Sequence, residues 1–308
     1  MGSSSGETDP AVVGVAPMRL AVATRRRRLP ASVADEEHER VAKQGLAWQQ
    51  TAGHAVFWEV GATAQGADEG RAYALAGQMA SAGEQLSLAH AAAVEVALWR
   101  EVREKADPDV AHEMCMRAMA EAQCMFVIGT GHALANVAVR ALALNEDLRA
   151  ELVKKKLARR DSSPAFDPFS QNRDDWVSLN TKTSRKLRAV AQSSQVQDVI
   201  RLVTPVADFG DGQSWRALLD RRGEDFHRWR PQTHGMEGVA RTSPWTRQGG
   251  TRVMNLGHPT YDEARGLAEQ TAHLAGKAMH DLALSMDAFM EGWPAASGHL
   301  GGPEFILV

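Results

Sequence analysis

The sequence predicts an all-α protein: a multi-helix bundle of about seven helices, built on long Ala-rich ones, with a short irregular or hairpin insert before the last helix. Three observations carry this. Apolar residues recur at helical spacing along much of the chain, as at Val41, Trp48, Ala52, Ala55 and Trp58. Long stretches are built from Ala, Leu, Glu and Gln, the strongest helix formers. Strand-like material is minor, and no regular alternation of strand and helix follows any of it.

The elements are expected in this order. Ser32 with Asp35, and the acidic run Asp35-Glu36-Glu37, mark a helix start, and a helix is expected from about Val33 to Ala62. Gly45 and Gly53 inside it weaken one unbroken rod. A second helix is expected from about Asp68 to Lys105, where abundant Ala permits close helix–helix approach. Asp107 is a good N-cap and Pro108 fits the first helical position, where its missing N–H costs nothing. That third helix is expected to break at Gly129-Thr130-Gly131 and resume through Arg159. Shorter helices are expected over about Arg173–Gln192, over Gln195–Val203 ahead of Pro205, and from Trp215 to about Arg230, capped by Ser214 and ended by Pro231. Around Gly249-Gly250, Trp245-Thr246-Arg247 and Thr251-Arg252-Val253-Met254 are expected to pair as a small hairpin. Thr260-x-x-Glu263 is a capping box for a last helix reaching about Glu291.

Length and composition bound the rest. With 308 residues, 44% hydrophobic and 24% charged, the chain can bury a core without metal or disulfide staples. A net charge of −3 gives no global basic field for nucleic acid. Cys115 and Cys124 are too few for a disulfide framework. No uninterrupted apolar run reaches the roughly 18 residues of a membrane helix. Met1 to Pro10 lacks the charged-then-apolar layout of a secretory signal. A cytoplasmic protein away from membranes is the expectation.

Residues 1–30 read as a flexible lead-in containing Arg25-Arg26-Arg27-Arg28, a solvated run or a phosphate-contacting arm. Residues 31–160 form the long-helix bundle. Ser162, Ser163, Pro164 and Pro168 mark a linker. Residues 161–308 hold the shorter helices, an insert at 231–259 and the final helix, expected to pack on the first part as one domain.

Four patterns carry candidate chemistry. Gly129-x-Gly131 with Ala135, after Cys124-Met125-Phe126-Val127-Ile128, mimics a dinucleotide-binding turn, with Glu146 and Asp147 near the distance for a ribose carboxylate. The competing interpretation is a kink or close helix crossing at two glycines. Glu224-x-x-His227 has the spacing used in dinuclear metal bundles; Asp35-x-x-His38 and Asp109-x-x-His112 share it with Asp, and Glu269-x-x-x-His273 is offset. His273 and His280 lie seven apart on one helix face, too far to share one ion from a single helix. No cofactor or metal is expected.

The third pattern is Asp220-Arg221-Arg222-Gly223-Glu224-Asp225-Phe226-His227-Arg228-Trp229-Arg230, with His234 just beyond. It is the densest group of cations, histidine and aromatics in the chain. Arg222-x-x-x-x-His227 resembles the motif of the HEPN domain (higher eukaryotes and prokaryotes nucleotide-binding), an all-helical family that includes metal-independent ribonucleases. The resemblance implies an RNA-acting protein, an endoribonuclease with Arg222 and His227 as its catalytic pair. His227 would move protons and Arg222 would hold the phosphate. Arg221, Arg228, Arg230 and His234 stand beside this pair as substrate contacts. Five residues at about 100° set positions 222 and 227 roughly 140° apart on a regular helix. The pair then converges where Gly223 breaks the helix or where two subunits of a homodimer each contribute. The same residues also fit a structural helix: Trp215, Leu218, Leu219, Arg222 and Phe226 share a face, with Arg222 at the core margin. Arg221 with Asp225, and Glu224 with Arg228, then form i,i+4 pairs on exposed turns.

The fourth pattern is Trp229 to Gly235 followed by Ser243-Pro244-Trp245, which suits stacking on bases or capping the bundle end. A non-catalytic helical interaction or scaffold protein is the competing expectation for the whole chain, ahead of a metal-binding bundle or a nucleotide-binding protein.

Overall fold

The computed structural model describes residues 36–62, 69–105, 110–158, 176–227, 245–248, 251–254 and 261–302. Among them are eight helices: α1 (Glu36–Ala62), α2 (Glu69–Lys105), α3 (Val110–Leu142), α4 (Glu146–Lys154), α5 (Thr181–Ser193), α6 (Gln197–Asp211), α7 (Gln213–His227) and α8 (Tyr261–Leu300). The strands β1 (Trp245–Gln248) and β2 (Thr251–Met254) pair antiparallel, Trp245 opposite Met254, as the hairpin around Gly249-Gly250 was expected to do. The protein is an all-α bundle. The Arg25–Arg28 run, the Asp107-Pro108 cap and the Ser162–Pro168 linker lie outside the described residues.

The long helices build the frame. α2 packs along both α1 and α3, and α8 packs against α3 and α6. α1 and α2 run antiparallel: His38 meets His90 while Gln49 meets Ser87. Small residues let them close. A Cβ on Gly83 would stand 2.6 Å from the Gly45 carbonyl oxygen, so the two backbones touch where neither helix carries a side chain. The core is marked by four tryptophans, Trp48, Trp99, Trp215 and Trp293, each no more than 2% exposed. Phe289 lies between Trp48 and Trp293, with ring centroids 5.9 and 6.1 Å away.

Several helix limits differ from expectation, and at the glycines and prolines burial overrides a local breaker. α3 runs unbroken through Gly129-Thr130-Gly131. Both glycines are contact points instead. A Cβ on Gly131 would meet the Trp215 ring at 2.6 Å, and one on Gly129 would meet Gln85 Oε1 at 2.4 Å. The helix ends at Leu142, well short of Arg159, and a turn leads to α4, whose N-cap Asn145 accepts from the backbone N–H of Asp147 and Leu148. α6 continues past Pro205 to Asp211, since Val206, Ala207 and Phe209 beyond it are buried. α8 likewise passes Pro294 to Leu300, burying Ala296 and Leu300. Losing one backbone bond at each proline is offset by the apolar face that the continued helix buries.

The segment expected to be helical from Arg173 is not helical over 176–180, and α5 starts at Thr181 behind the N-cap Asn180. α3 holds this segment by its backbone, through His132 and Asn136.

The stretch Met114–Leu142 of α3 is long and apolar enough to cross a membrane by length and composition, but 72% of its most apolar window is buried inside the bundle.

Candidate functional site

A cleft of about 470 Å³ opens between α1, α2, α3 and α8. Its floor is apolar: Val41 from α1, Ala93, Val96 and Ala97 from α2, and Ala272 and Met279 from α8. Its polar groups come from all four helices, Gln123 being that of α3. α1 supplies Glu37 and His38, α2 supplies Arg100, and α8 supplies His273, Lys277, His280 and Asp281. Helical spacing explains the α8 set, since positions 273, 277 and 280 fall on one stripe. Gly276, between them, leaves that wall low. A Cβ there would touch only Gln123 Nε2, at 3.9 Å.

At this cleft Gln123 Oε1, on a residue only 2% exposed, and His280 Nδ1 are buried with no hydrogen-bond partner among the described residues. A buried acceptor left unpaired costs about 1–3 kcal/mol. The other ring nitrogen of His280, Nε2, lies 3.8 Å from Glu37 Oε1. The His38 and His90 rings stand 5.6 Å apart, tilted. The two carboxylates are already occupied or solvated: Asp281 accepts from Ser214, and Glu37 is exposed. Arg100 and Lys277 have no carboxylate partner among the described residues.

A second cluster gathers around the expected catalytic arginine. Arg222 sits at the core margin of α7, half-buried, and its Nε has no partner among the described residues. It acts on His132 of α3. Burial first, and the Arg222 charge second, push that imidazole down to about 4. His132 Nδ1 accepts from the Leu179 N–H at 3.0 Å, so the neutral ring carries its proton on Nε2. The ring also meets Trp215 edge-on at 5.6 Å.

No family model, curated protein or solved structure matches this chain.

The sequence-derived candidates are distributed as follows. α7 continues through Gly223, so no helix break brings positions 222 and 227 together. They remain roughly 140° apart around one axis. The side chain of His227, and Arg228, Arg230 and His234 altogether, lie outside the described residues, as does the Trp229–Pro244 stretch. Arg221 is 8% exposed and donates from Nε to Thr271 Oγ1 of α8 at 3.1 Å; the expected exposed turn is a helix contact. Gly129-x-Gly131 follows helix rather than strand, so the dinucleotide-turn geometry is absent and the close-crossing interpretation holds. Among the described residues, no three His, Cys, Asp or Glu side chains are placed to share one metal ion. Asp35, Asp109 and the side chains of His112, Glu224 and His227 lie outside that set.

His38, His273 and His280 were visible in the sequence as spaced pairs, but the cleft was not. Its walls come from helices far apart in the chain. Gln123 gave no signal, because nothing in the sequence shows that an amide on an apolar helix lacks a partner.

Proposed function

We propose that this chain is a helical-bundle binding protein for a small organic anion, held in the cleft between α1, α2, α3 and α8. One observation carries the reading: the buried Gln123 Oε1 and His280 Nδ1 have no partner among the described residues, in a cleft of ligand size. An apolar floor suits an apolar body. The cations Arg100 and Lys277 suit a carboxylate, sulfonate or phosphate at the mouth, and Gln123 suits a donor deeper in. This belongs with the non-catalytic expectation for the chain.

Anilinonaphthalene sulfonate, an apolar body with one anionic group, is a suitable probe. The wild-type protein is expected to bind it saturably at one site per chain. Gly276→Leu fills the low wall and abolishes that binding; Arg100→Ala with Lys277→Ala weakens it about tenfold. Binding that all three changes leave intact overturns the reading.

RNA cleavage by Arg222 and His227 is a second reading, favoured by the unpartnered Nε of Arg222. That guanidinium retains capacity for a phosphate. The reading requires a second copy of the chain to supply the facing pair. Cleavage of single-stranded RNA that is lost in both Arg222→Lys and His227→Ala, with the helical circular dichroism unchanged, supports it. Absence of cleavage by the wild-type protein ends it.

A further inference from the structure

We propose that the junction of α4 and α5 is a binding surface for the phosphate backbone of single-stranded nucleic acid. Lys155 and Lys156 directly follow α4; Lys182, Arg185 and Lys186 occupy the first two turns of α5, which packs against α4. All but Lys186 are exposed, and Lys186 is half-buried. None of the five pairs with a carboxylate among the described residues, whereas the adjacent cations are neutralised: Lys154 by Glu151, and Arg188 by Asp208 and Asp211. The surface therefore concentrates positive charge on a molecule whose net charge is −3.

Two features show that this concentration works against stability. Lys186 has its pKa lowered, by burial first and then by Lys182, Lys156 and Lys155, so these cations stand close enough to repel one another. Lys156 has φ 58°, the left-handed position after a helix that glycine normally fills. The bonds from Lys156 N–H to the Val153 carbonyl and from Leu157 N–H to the Leu152 carbonyl close α4 around it. A lysine kept where glycine fits better, among four other cations, is accounted for by an anionic partner.

The first turn of α5 carries no acidic residue, so the positive end of the helix adds to the field. Trp176, 44% exposed, precedes Lys182 by six residues, at most about 20 Å of extended chain. An exposed ring within that reach of cations that have no carboxylate partner among the described residues suits bases stacked along a strand. A membrane surface needs a broader apolar face to insert, and Trp176 is the one exposed large hydrophobic in this part of the described structure. The surface lies on different helices from the cleft and requires no cleavage, so it stands whether or not either reading above survives.

The test uses the full chain and a fluorescein-labelled oligouridylate in fluorescence anisotropy. Binding is expected to weaken steeply with salt. Changing Lys155, Lys156, Lys182 and Lys186 together to Gln is expected to cost at least tenfold in affinity and to flatten the salt dependence by about three in log–log slope, without lowering Tm. Trp176→Leu is expected to cost about tenfold at unchanged salt slope. Lys156→Gly separates structure from binding: it raises Tm yet weakens the oligonucleotide complex. An affinity that the four Gln changes leave unaltered overturns the proposal. So does binding to phosphatidylserine vesicles with none to the oligonucleotide.

Discussion

Asn136 and Val177 are joined by two hydrogen bonds that imitate a strand pairing. Asn136 Nδ2 donates to the Val177 carbonyl at 2.8 Å, and the Val177 N–H donates to Asn136 Oδ1 at 3.0 Å. Asn136 is fully buried in α3, so a helix side chain satisfies the backbone of a segment that belongs to neither helix nor sheet. Asn136→Ala leaves a donor and an acceptor of Val177 unpaired. The expected loss is about 2–4 kcal/mol in denaturant unfolding. Amide exchange should accelerate at Val177 well beyond any change in α2. A loss below about 1 kcal/mol would show that the clamp is dispensable.

His132, one turn before Asn136, ties the same segment through Leu179 and gives a pH signature. Its folded pKa of about 4 lies below the ordinary 6.5. Between these values the unfolded chain takes up a proton that the native state refuses, so stability rises with pH. The contribution is complete above about pH 6.5 and is lost as pH falls toward 4. It amounts to on the order of 3 kcal/mol at most. His132→Gln, which keeps an acceptor for the Leu179 N–H, should remove this one-proton slope between pH 4 and 6.5 in urea melts. Arg222→Met should raise the imidazole pKa in an NMR titration, because one of the two effects depressing it is gone. An unchanged value would show that the guanidinium does not act on the ring.

The helical class and most helix starts were legible because they depend on local signals. The acidic first turn at Asp35-Glu36-Glu37, the Ala-rich runs and the Gly249-Gly250 turn each act within a few residues, whereas the Asn145 and Asn180 caps were not read from the sequence. Helix ends were less so. Pro205, Pro294 and the Gly129–Gly131 pair are breakers in isolation, and only the tertiary burial of Phe209, Leu300 and Trp215 shows why the helices ignore them. The cleft was illegible for the same reason. His38 and His280 are more than 240 positions apart, and their shared wall exists only once α1 and α8 lie side by side. The expected pair Arg222 and His227 was read from spacing alone, and spacing did not reveal that Arg222 also acts on the imidazole of His132, on another helix.

Gly131 shows what a glycine in the middle of a helix is for in this fold. A Cβ there would stand 2.6 Å from Trp215 Cη2 and 3.3 Å from Phe209 Cε1, against rings packed 5.1 Å apart. Neither ring is a flexible end that can swing aside. Gly131→Ala is expected to destabilise by about 1–3 kcal/mol despite the better helix propensity of Ala. The near-ultraviolet circular dichroism should change as Trp215 shifts. A stabilised variant would mean that α7 sits farther from α3 than the structure has it.

Gly77 and Gly83 on α2 separate propensity from packing within one helix. Gly77 is exposed, and a Cβ on it meets nothing within 4 Å. Gly77→Ala should therefore stabilise by about 0.5–1 kcal/mol, through helix propensity alone. Gly83 faces α1: its Cβ would meet the Gly45 carbonyl oxygen at 2.6 Å, Trp48 Cβ at 2.9 Å and the Gln49 backbone nitrogen at 3.0 Å. Two of those atoms are backbone, so α1 as a whole must retreat. Gly83→Ala should cost about 1–3 kcal/mol and weaken the Gln49–Ser87 hydrogen bond across the same crossing. Thermal melts of the two single variants and the double variant are sufficient. The sites are more than a turn apart and share no partner, so the two effects should add with opposite signs. If both substitutions stabilise, α1 and α2 do not approach closely at Gly45, and the frame on which the cleft depends is looser than described.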